Sequence, residues 1–223
     1  IEAMRERIRA CGGEVRFDVR VNGVRRDADG RVRGVLTTEG GATADAVVVA
    51  TGHGARDVFQ WMHEAGLAME RKPFALGVRI EHPQSWVDQR QYRLSQGQTA
   101  ASAHLPPAAY SLVTQVQGGG VFSFCMCPGG VVAPCATEDG EIVTNGWSPS
   151  KRNNRWANSG IVTTIEEEEL DEHGFTGPLG ALAFQRSVEH ACHEAGGGGQ
   201  KAPAQRLTDF VARRKSTDLP DCS

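Results

Sequence analysis

The sequence predicts a mixed α/β fold in two subregions. Three observations carry the prediction. Residues 1–72 run from a helical period through alternating apolar positions with Gly and Asp turns to an unbroken apolar run. Residues 73–223 are dominated by alternating strands and Gly-rich turns, the pattern of an antiparallel sheet with long loops. Apolar side chains make up 39% of the 223 residues, enough to bury a core, so wholesale disorder is excluded.

In the first subregion Ile1, Met4, Ile8 and Cys11 recur at helical spacing among charges, and Gly12-Gly13 ends that helix. Val15, Phe17, Val19 and Val21 alternate over Glu14–Val21, which reads as a strand. Asp27-Ala28-Asp29-Gly30 is a turn, Arg31–Thr37 alternates again, and Glu39-Gly40-Gly41 turns once more, so a meander is expected. Asp45–Thr51, built around Val47-Val48-Val49, has the pattern of a strand buried on both faces. It leads into Gly52-His53-Gly54 and a helix with Val58, Phe59, Met62 and Leu67 inward.

In the second subregion Phe74–Glu81 alternates and is stopped by His82-Pro83. Gln84–Ser102 is polar and reads as loop and short helix. Tyr110–Val116 and Val121–Cys127 form a hairpin around Gly118-Gly119-Gly120. Glu141–Thr144 is a short strand, Asn145–Asn158 reads as irregular, and Ile161–Ile165 is a strand. Glu166–Glu169 is a solvated charge run. Gly180–Glu194 is a helix with Leu182, Phe184, Val188 and Ala191 inward, and Gly196–Gly199 is a connection. Leu207, Phe210 and Val211 mark a last helical turn or two.

Composition narrows the function. A net charge of -3 argues against a nucleic-acid binder. The longest apolar run, Ala46–Ala50, is far short of the ~20 residues of a membrane-spanning helix. The six cysteines (Cys11, Cys125, Cys127, Cys135, Cys192 and Cys222) lack the spacing of a small disulfide scaffold, so reduced thiols and a cytoplasmic location are expected. The chain begins with Ile1, already in a helical pattern, and ends without a capping element, which together read as a piece of a longer protein. No basic segment followed by an apolar stretch marks a signal peptide.

Two motifs stand out. In Val47-Val48-Val49-Ala50-Thr51-Gly52 a strand ends in glycine, where open α/β sheets bring backbone close to a ligand. In Phe124-Cys125-Met126-Cys127-Pro128-Gly129-Gly130 a strand runs into a turn. Three readings compete there: a metal or cluster site with Cys135, redox thiols, or packed cysteines beside a loop whose amides face a ligand. The third is preferred, because no Cys-x-x-Cys pair occurs and no Lys or Arg lies nearby in sequence. Arg79 and Glu81 share one strand face, as a surface ion pair or as a cleft lining with His82 as proton donor. His190 and His193 lack a carboxylate partner at ligand spacing and read as a solvated helix face, so no metal is expected.

These strings resemble a known family. Ala50-Thr51-Gly52-His53-Gly54-Ala55-Arg56-Asp57, Lys72–Gln84, Ser123–Gly130, Thr144–Ser148, Ala157-Asn158-Ser159 and Ala202–Phe210 are similar, in order, to segments of the bacterial FAD-dependent dehydrogenases described as NAD(FAD)-utilising. Gly54 and Trp147 depart from the family's usual Ser and Met, and Glu166–His173 replaces a more apolar segment. The resemblance implies a Rossmann-like FAD-binding domain with a β-meander, of which residues 1–72 are part, and an inserted substrate domain over residues 73–223. It places the chain in the family's central portion, without the glycine-rich start that makes most pyrophosphate contacts, so these residues alone are expected to be inactive and to hold FAD weakly. Implied cofactor-binding residues are Ala50, Thr51, Gly52, Pro128, Gly129 and Gly130. Candidate proton donors are His82, Cys125 and Cys127; candidate substrate-binding residues are Arg79, Glu81, Asn145 and Asn158. The implied activity is hydride transfer through FAD with a small molecule, NADH or NADPH being the electron donor. The alternatives are a non-catalytic flavoprotein-like domain and a thiol or metal module at Cys125, Cys127 and Cys135.

Overall fold

Asp27 organises the first unit. Its Oδ1 accepts the amides of Asp29 and Arg31, at 3.1 and 2.9 Å, and its Oδ2 accepts Arg33 Nε at 2.8 Å. The Arg33 guanidinium holds the Asp27 carboxyl below the usual carboxylate range. The turn so fixed sets the ladder on either side of it. The computed structural model describes residues 1–95 and 97–220, so Cys222 lies outside the described residues. These fall into two units, Ile1–Glu70 and Arg71 onward.

The first unit opens with α1 (Glu2–Ala10), closed where Gly13 donates to Ile8 O at 2.9 Å. β1 (Val21–Arg26), β2 (Val32–Thr37) and β3 (Gly40–Thr43) follow as a three-stranded antiparallel meander, then α2 (Arg56–Glu64). Three expectations change. The strand read at Glu14–Val21 instead begins at Val21, because the Asp27 turn pairs Arg26 with Val32 and Val21 with Thr37, which leaves residues 14–20 beyond the end of β2. Gly40-Gly41, read only as a turn, starts β3, with Thr37 opposite Gly40. Asp45–Thr51 is not a paired strand: no strand lies beside it among the described residues, and Val48 is 88% exposed. An apolar run becomes a buried strand only when neighbours take up its amides and carbonyls.

The second unit is built on a four-stranded antiparallel sheet in the order β4-β9-β6-β5. β4 (Phe74–Pro83) is followed by α3 (Gln84–Tyr92), the hairpin β5 (Val113–Val116) and β6 (Gly119–Cys127), and a separate pair, β7 (Val131–Cys135) and β8 (Val143–Trp147). β9 (Trp156–Ile165) then enters the middle of the sheet, pairing with β4 over all ten residues and with β6 on its other side. α4 (Glu167–Glu172), α5 (Gly180–Ala195) and α6 (Leu207–Val211) complete the unit.

β4 runs through His82-Pro83 rather than stopping before it, because β4 is an edge strand and Pro83 ends the ladder opposite Trp156. Asn145–Asn158 is regular at both ends, in β8 and β9, and β7 forms where no element was read. Glu166–Glu169 becomes an N-terminal capping box and the first turn of α4, with Leu170 buried beneath it. On α5, Phe184 meets Phe74 and Phe175 as expected, but Ala191 is exposed and Glu189 is buried. Glu189 there accepts Gln185 Nε2 at 2.9 Å, and its carbonyl accepts the Ile142 amide. A small apolar core of Val87, Ala108 and Ala157, with Tyr92, Tyr110 and Met126 against it, joins α3 to the sheet.

Candidate functional site

The centre of β9 is the place to look for chemistry, because it buries polar side chains where a sheet normally buries apolar ones. Asn158 and Ser159 are wholly buried. Asn158 stands opposite Glu81 of β4 on one side and Cys127 of β6 on the other. Arg79 Nη1 donates to Asn158 Oδ1 at 2.6 Å and, more weakly, to the Cys125 carbonyl at 3.4 Å. Arg79 is donor-only, so the amide orientation is fixed: Oδ1 faces the guanidinium and Nδ2 points elsewhere. That Nδ2 is buried without a hydrogen-bond partner. Gly146 of β8 lies over the pair, and a Cβ there would overlap both Arg79 Nη1 and Asn158 Oδ1. Asn145, beside it, is exposed and accepts the Gly146 amide on Oδ1 at 2.9 Å.

Cys125 sits on a bulge. The register between β6 and β9 shifts between Phe124 and Cys127, and Cys125 takes a left-handed backbone, φ 47°. The bulge leaves the Cys125 side chain exposed and turns its carbonyl to Arg79 and to the Cys127 thiol, which donates to it at 3.3 Å.

His82 follows Glu81 in an extended strand, so it faces the other side of the sheet. There it stacks on Trp86 and meets the Tyr110 hydroxyl at 2.8 Å through Nε2. The structure therefore groups Arg79, Asn158 and Cys127 on one face and His82 with Tyr110 on the other. Burial pushes the Tyr110 hydroxyl up, so it keeps its proton. Burial pushes His82 below its ordinary value of 6.5, with the Glu81 charge pulling the other way. The unfolded chain takes that proton first as the solution is acidified, so His82 supports the fold above the unfolded value and that support is lost as pH falls through the folded one. Denaturant midpoints followed from about pH 8 to about pH 5 should fall more for the wild type than for His82→Gln. Parallel curves would remove His82 from the account.

The Pro128-Gly129-Gly130 loop differs from the expected open cradle. The Gly129 amide donates to Gln84 Oε1 at 2.7 Å, and the Gly130 amide to Trp156 O at 2.9 Å. The Pro128 carbonyl accepts Ser148 Oγ, and the Gly129 carbonyl accepts the Asn154 amide. All three loop residues are buried. The missing side chains admit protein backbone: a Cβ at Gly129 would overlap the Arg152 carbonyl, and one at Gly130 the Trp147 carbonyl. Gln84 is the anchor, its Nε2 donating to Asp88 Oδ1 at 2.8 Å and Ala108 O at 3.0 Å.

In the first unit Ala50, Thr51 and Gly52 are exposed. Gly52 has φ +80°, and a Cβ there would meet nothing within 4 Å. Among the described residues no group of three or more His, Cys, Asp or Glu is placed to hold a metal ion.

Sequence reasoning missed Tyr110, Gln84 and Gly146. Tyr110 and Gln84 act through contacts with residues 28 and 45 positions away, and no local pattern marks such pairs. Gly146 carried a signal, a glycine inside a polar string, but its role depends on what β8 covers.

Comparison with known proteins places these features. Residues 73–223 match the family described as FAD-dependent protein, C-terminal domain-like, and residues 1–93 match the FAD dependent oxidoreductase family. An uncharacterised protein of Clostridium beijerinckii is 38% identical over 221 residues, which is 98% of this chain and 40% of the relative. The chain thus spans less than half the length of the curated relative it matches. Among the described residues no helix is long and apolar enough to cross a membrane. With two thirds of its length matched to one family, the chain belongs to the FAD-dependent proteins of the C-terminal domain-like family, and its cofactor is FAD.

Proposed function

We propose that the chain is the part of a flavin-dependent dehydrogenase in which residues 1–72 contribute to FAD binding and residues 73–223 form an inserted domain that presents a small-molecule substrate. The observation that carries this reading is the pair of FAD-dependent family matches, which together run through the whole chain. FAD, when bound, supplies the hydride chemistry. Ala50, Thr51 and Gly52 offer it exposed backbone, with Gly52 admitting close approach. Arg79, Asn158 and Glu81, with exposed Asn145 nearby, orient the substrate from the β4-β9 face. Cys125, carried outward by its bulge, is a proposed proton donor, with Cys127 beside it. His82 and Tyr110 hold a proton on the other face, at Tyr110 Oη. Pro128, Gly129 and Gly130 hold the loop between β6 and β7 in place rather than donating amides. NADH or NADPH is the proposed electron donor, and the proposed location is the cytoplasm.

The test is spectroscopic. The full-length gene product should purify yellow, with a flavin absorption that bleaches on anaerobic addition of NADH or NADPH. A folded, colourless product that refuses added FAD would favour the non-catalytic reading instead.

A further inference from the structure

Cys125 and Cys127 carry two free thiols on one short stretch of β6, and the fold treats that stretch unlike the rest of the sheet. Residues 125 and 126 stand together opposite Ser159 alone, because Phe124 pairs with Gly160 and Cys127 with Asn158. The left-handed backbone of Cys125 is one that a residue with a side chain rarely adopts, and its surroundings must impose it. Met126 packs against the apolar core of Val87, Ala108 and Ala157, so the middle of the stretch is anchored. Its two neighbours lie outside that core, Cys125 exposed and Cys127 half-buried. The Cys127 thiol turns back along the chain and donates to the Cys125 carbonyl at 3.3 Å. No Lys or Arg lies near these cysteines in sequence, yet the fold brings Arg79 Nη1 to the same carbonyl at 3.4 Å, so a cation stands beside the bulge. One thiol open to solvent, with a second folded back beside it, is the arrangement of an attacking and a resolving cysteine.

We infer that Cys125 and Cys127 form a thiol–disulfide exchange site, with Cys125 attacking, Cys127 resolving and an organic disulfide as the substrate. In a regular strand, Cα atoms two residues apart stand about 6.6–6.8 Å from each other, the long limit of what a disulfide spans. The bulge takes residues 125 and 126 out of one-to-one pairing with β9, so the ladder does not hold the stretch at that spacing. The Cys125 sulfur attacks one sulfur of R–S–S–R. A bond from Cys125 to that sulfur forms, the original S–S bond breaks, and the first RS leaves with the bonding pair and takes up the Cys125 proton. Cys127 Sγ then attacks Cys125 Sγ, the intramolecular disulfide closes, and the second RS leaves with the Cys127 proton. The two cysteines lose two electrons and the substrate gains them as two RSH. A dithiol runs the sequence backwards and restores both thiols. None of these steps draws on FAD, so the chemistry is read with the cofactor bound or removed.

Full-length protein, reduced and freed of reductant, is incubated without oxygen with hydroxyethyl disulfide, quenched with iodoacetamide and mapped by mass spectrometry. The peptide holding Cys125 and Cys127 should lose two hydrogens and escape alkylation, and Cys135, at the far end of β7, should not enter the ring. Cys127→Ser should trap a mixed disulfide at Cys125. Cys125→Ser should slow capture at Cys127 about 10-fold or more, since the remaining thiol is half-buried. In urea the two cysteines keep their sequence spacing but lose the bulge, and the equilibrium constant for ring closure against glutathione disulfide should fall about 10-fold or more. Ring closure equally favourable in urea, capture at Cys127 as fast as at Cys125, or pairing of either with Cys135 would overturn the inference. Thiols that stay open to alkylation throughout would overturn it too. A colourless protein that still closes the ring would sink the flavin reading and leave the exchange site standing.

Discussion

Gly129→Ala should lower the stability of the second unit by about 2–5 kcal/mol, read as a fall in the urea midpoint followed by tryptophan fluorescence. Two costs combine. Gly129 has φ +53°, a conformation that costs an L-residue about 1–2 kcal/mol. An added Cβ would also overlap the carbonyl oxygen and carbon of Arg152. The contact is with backbone, which cannot swing aside as a flexible side chain would, and overfilling a packed site costs about 1–3 kcal/mol more. Relief by moving Gly129 is blocked on both sides, because its amide is bonded to Gln84 Oε1 and its carbonyl to the Asn154 amide. An unchanged midpoint would mean that the 150–155 segment yields freely and that the loop is not clamped.

Gln84→Leu should cost a similar amount, about 2–5 kcal/mol, for a different reason. Gln84 is buried and makes three hydrogen bonds at once, accepting the Gly129 amide and donating to Asp88 Oδ1 and Ala108 O. Leucine keeps much of the volume but orphans a buried N–H and a buried carbonyl, each worth about 1–3 kcal/mol unsatisfied. Asp88 retains the Ala108 amide at 2.8 Å, which limits the loss. Gln84→Glu separates the two halves of the network. It restores an acceptor for Gly129, removes both donors and sets a second carboxylate against Asp88, so near neutral pH it should be no better than leucine. The two mutations share the Gly129–Gln84 bond, so the double variant should lose less than the sum of the singles. Additive losses would show that this bond carries little.

Much of the fold was legible because local pattern and tertiary setting agree. α1, α5, the β5-β6 hairpin around Gly118 and the alternating part of β4 all carry their own period and punctuation. Where they disagree, the reading failed. The first half of β9 is Ala157-Asn158-Ser159-Gly160, small and polar in the middle of a sheet, and no alternation announces it. Residues 14–20 and 45–51 announce strands clearly, yet a strand is a relation between segments and neither forms a ladder among the described residues, although Arg20 bonds to Thr38 just beyond the end of β2. The site shows the same division. Arg79 and Asn158 were each singled out, but their bond spans 79 positions and only the β4-β9 register brings them together. Gly129 and Gly130 were singled out as places of close approach: glycine reports that something comes close, and in the structure the protein's own backbone does.

The central place of β9 also governs the order in which this sheet can form during synthesis. β4 and β6 leave the ribosome well before β9, yet they do not pair with each other, and each finds its antiparallel partner only in residues 156–165. Until those residues emerge, β4 is an open edge and β6 is held only by the hairpin with β5. A nascent chain ending before Trp156 therefore presents unpaired strand edges, the condition in which chains aggregate or call on chaperones. Closing the sheet then requires joining segments some eighty positions apart, as Arg79 and Asn158 are, so folding waits on a long loop closure. The strand that carries the candidate site is thus also the one whose arrival completes the sheet.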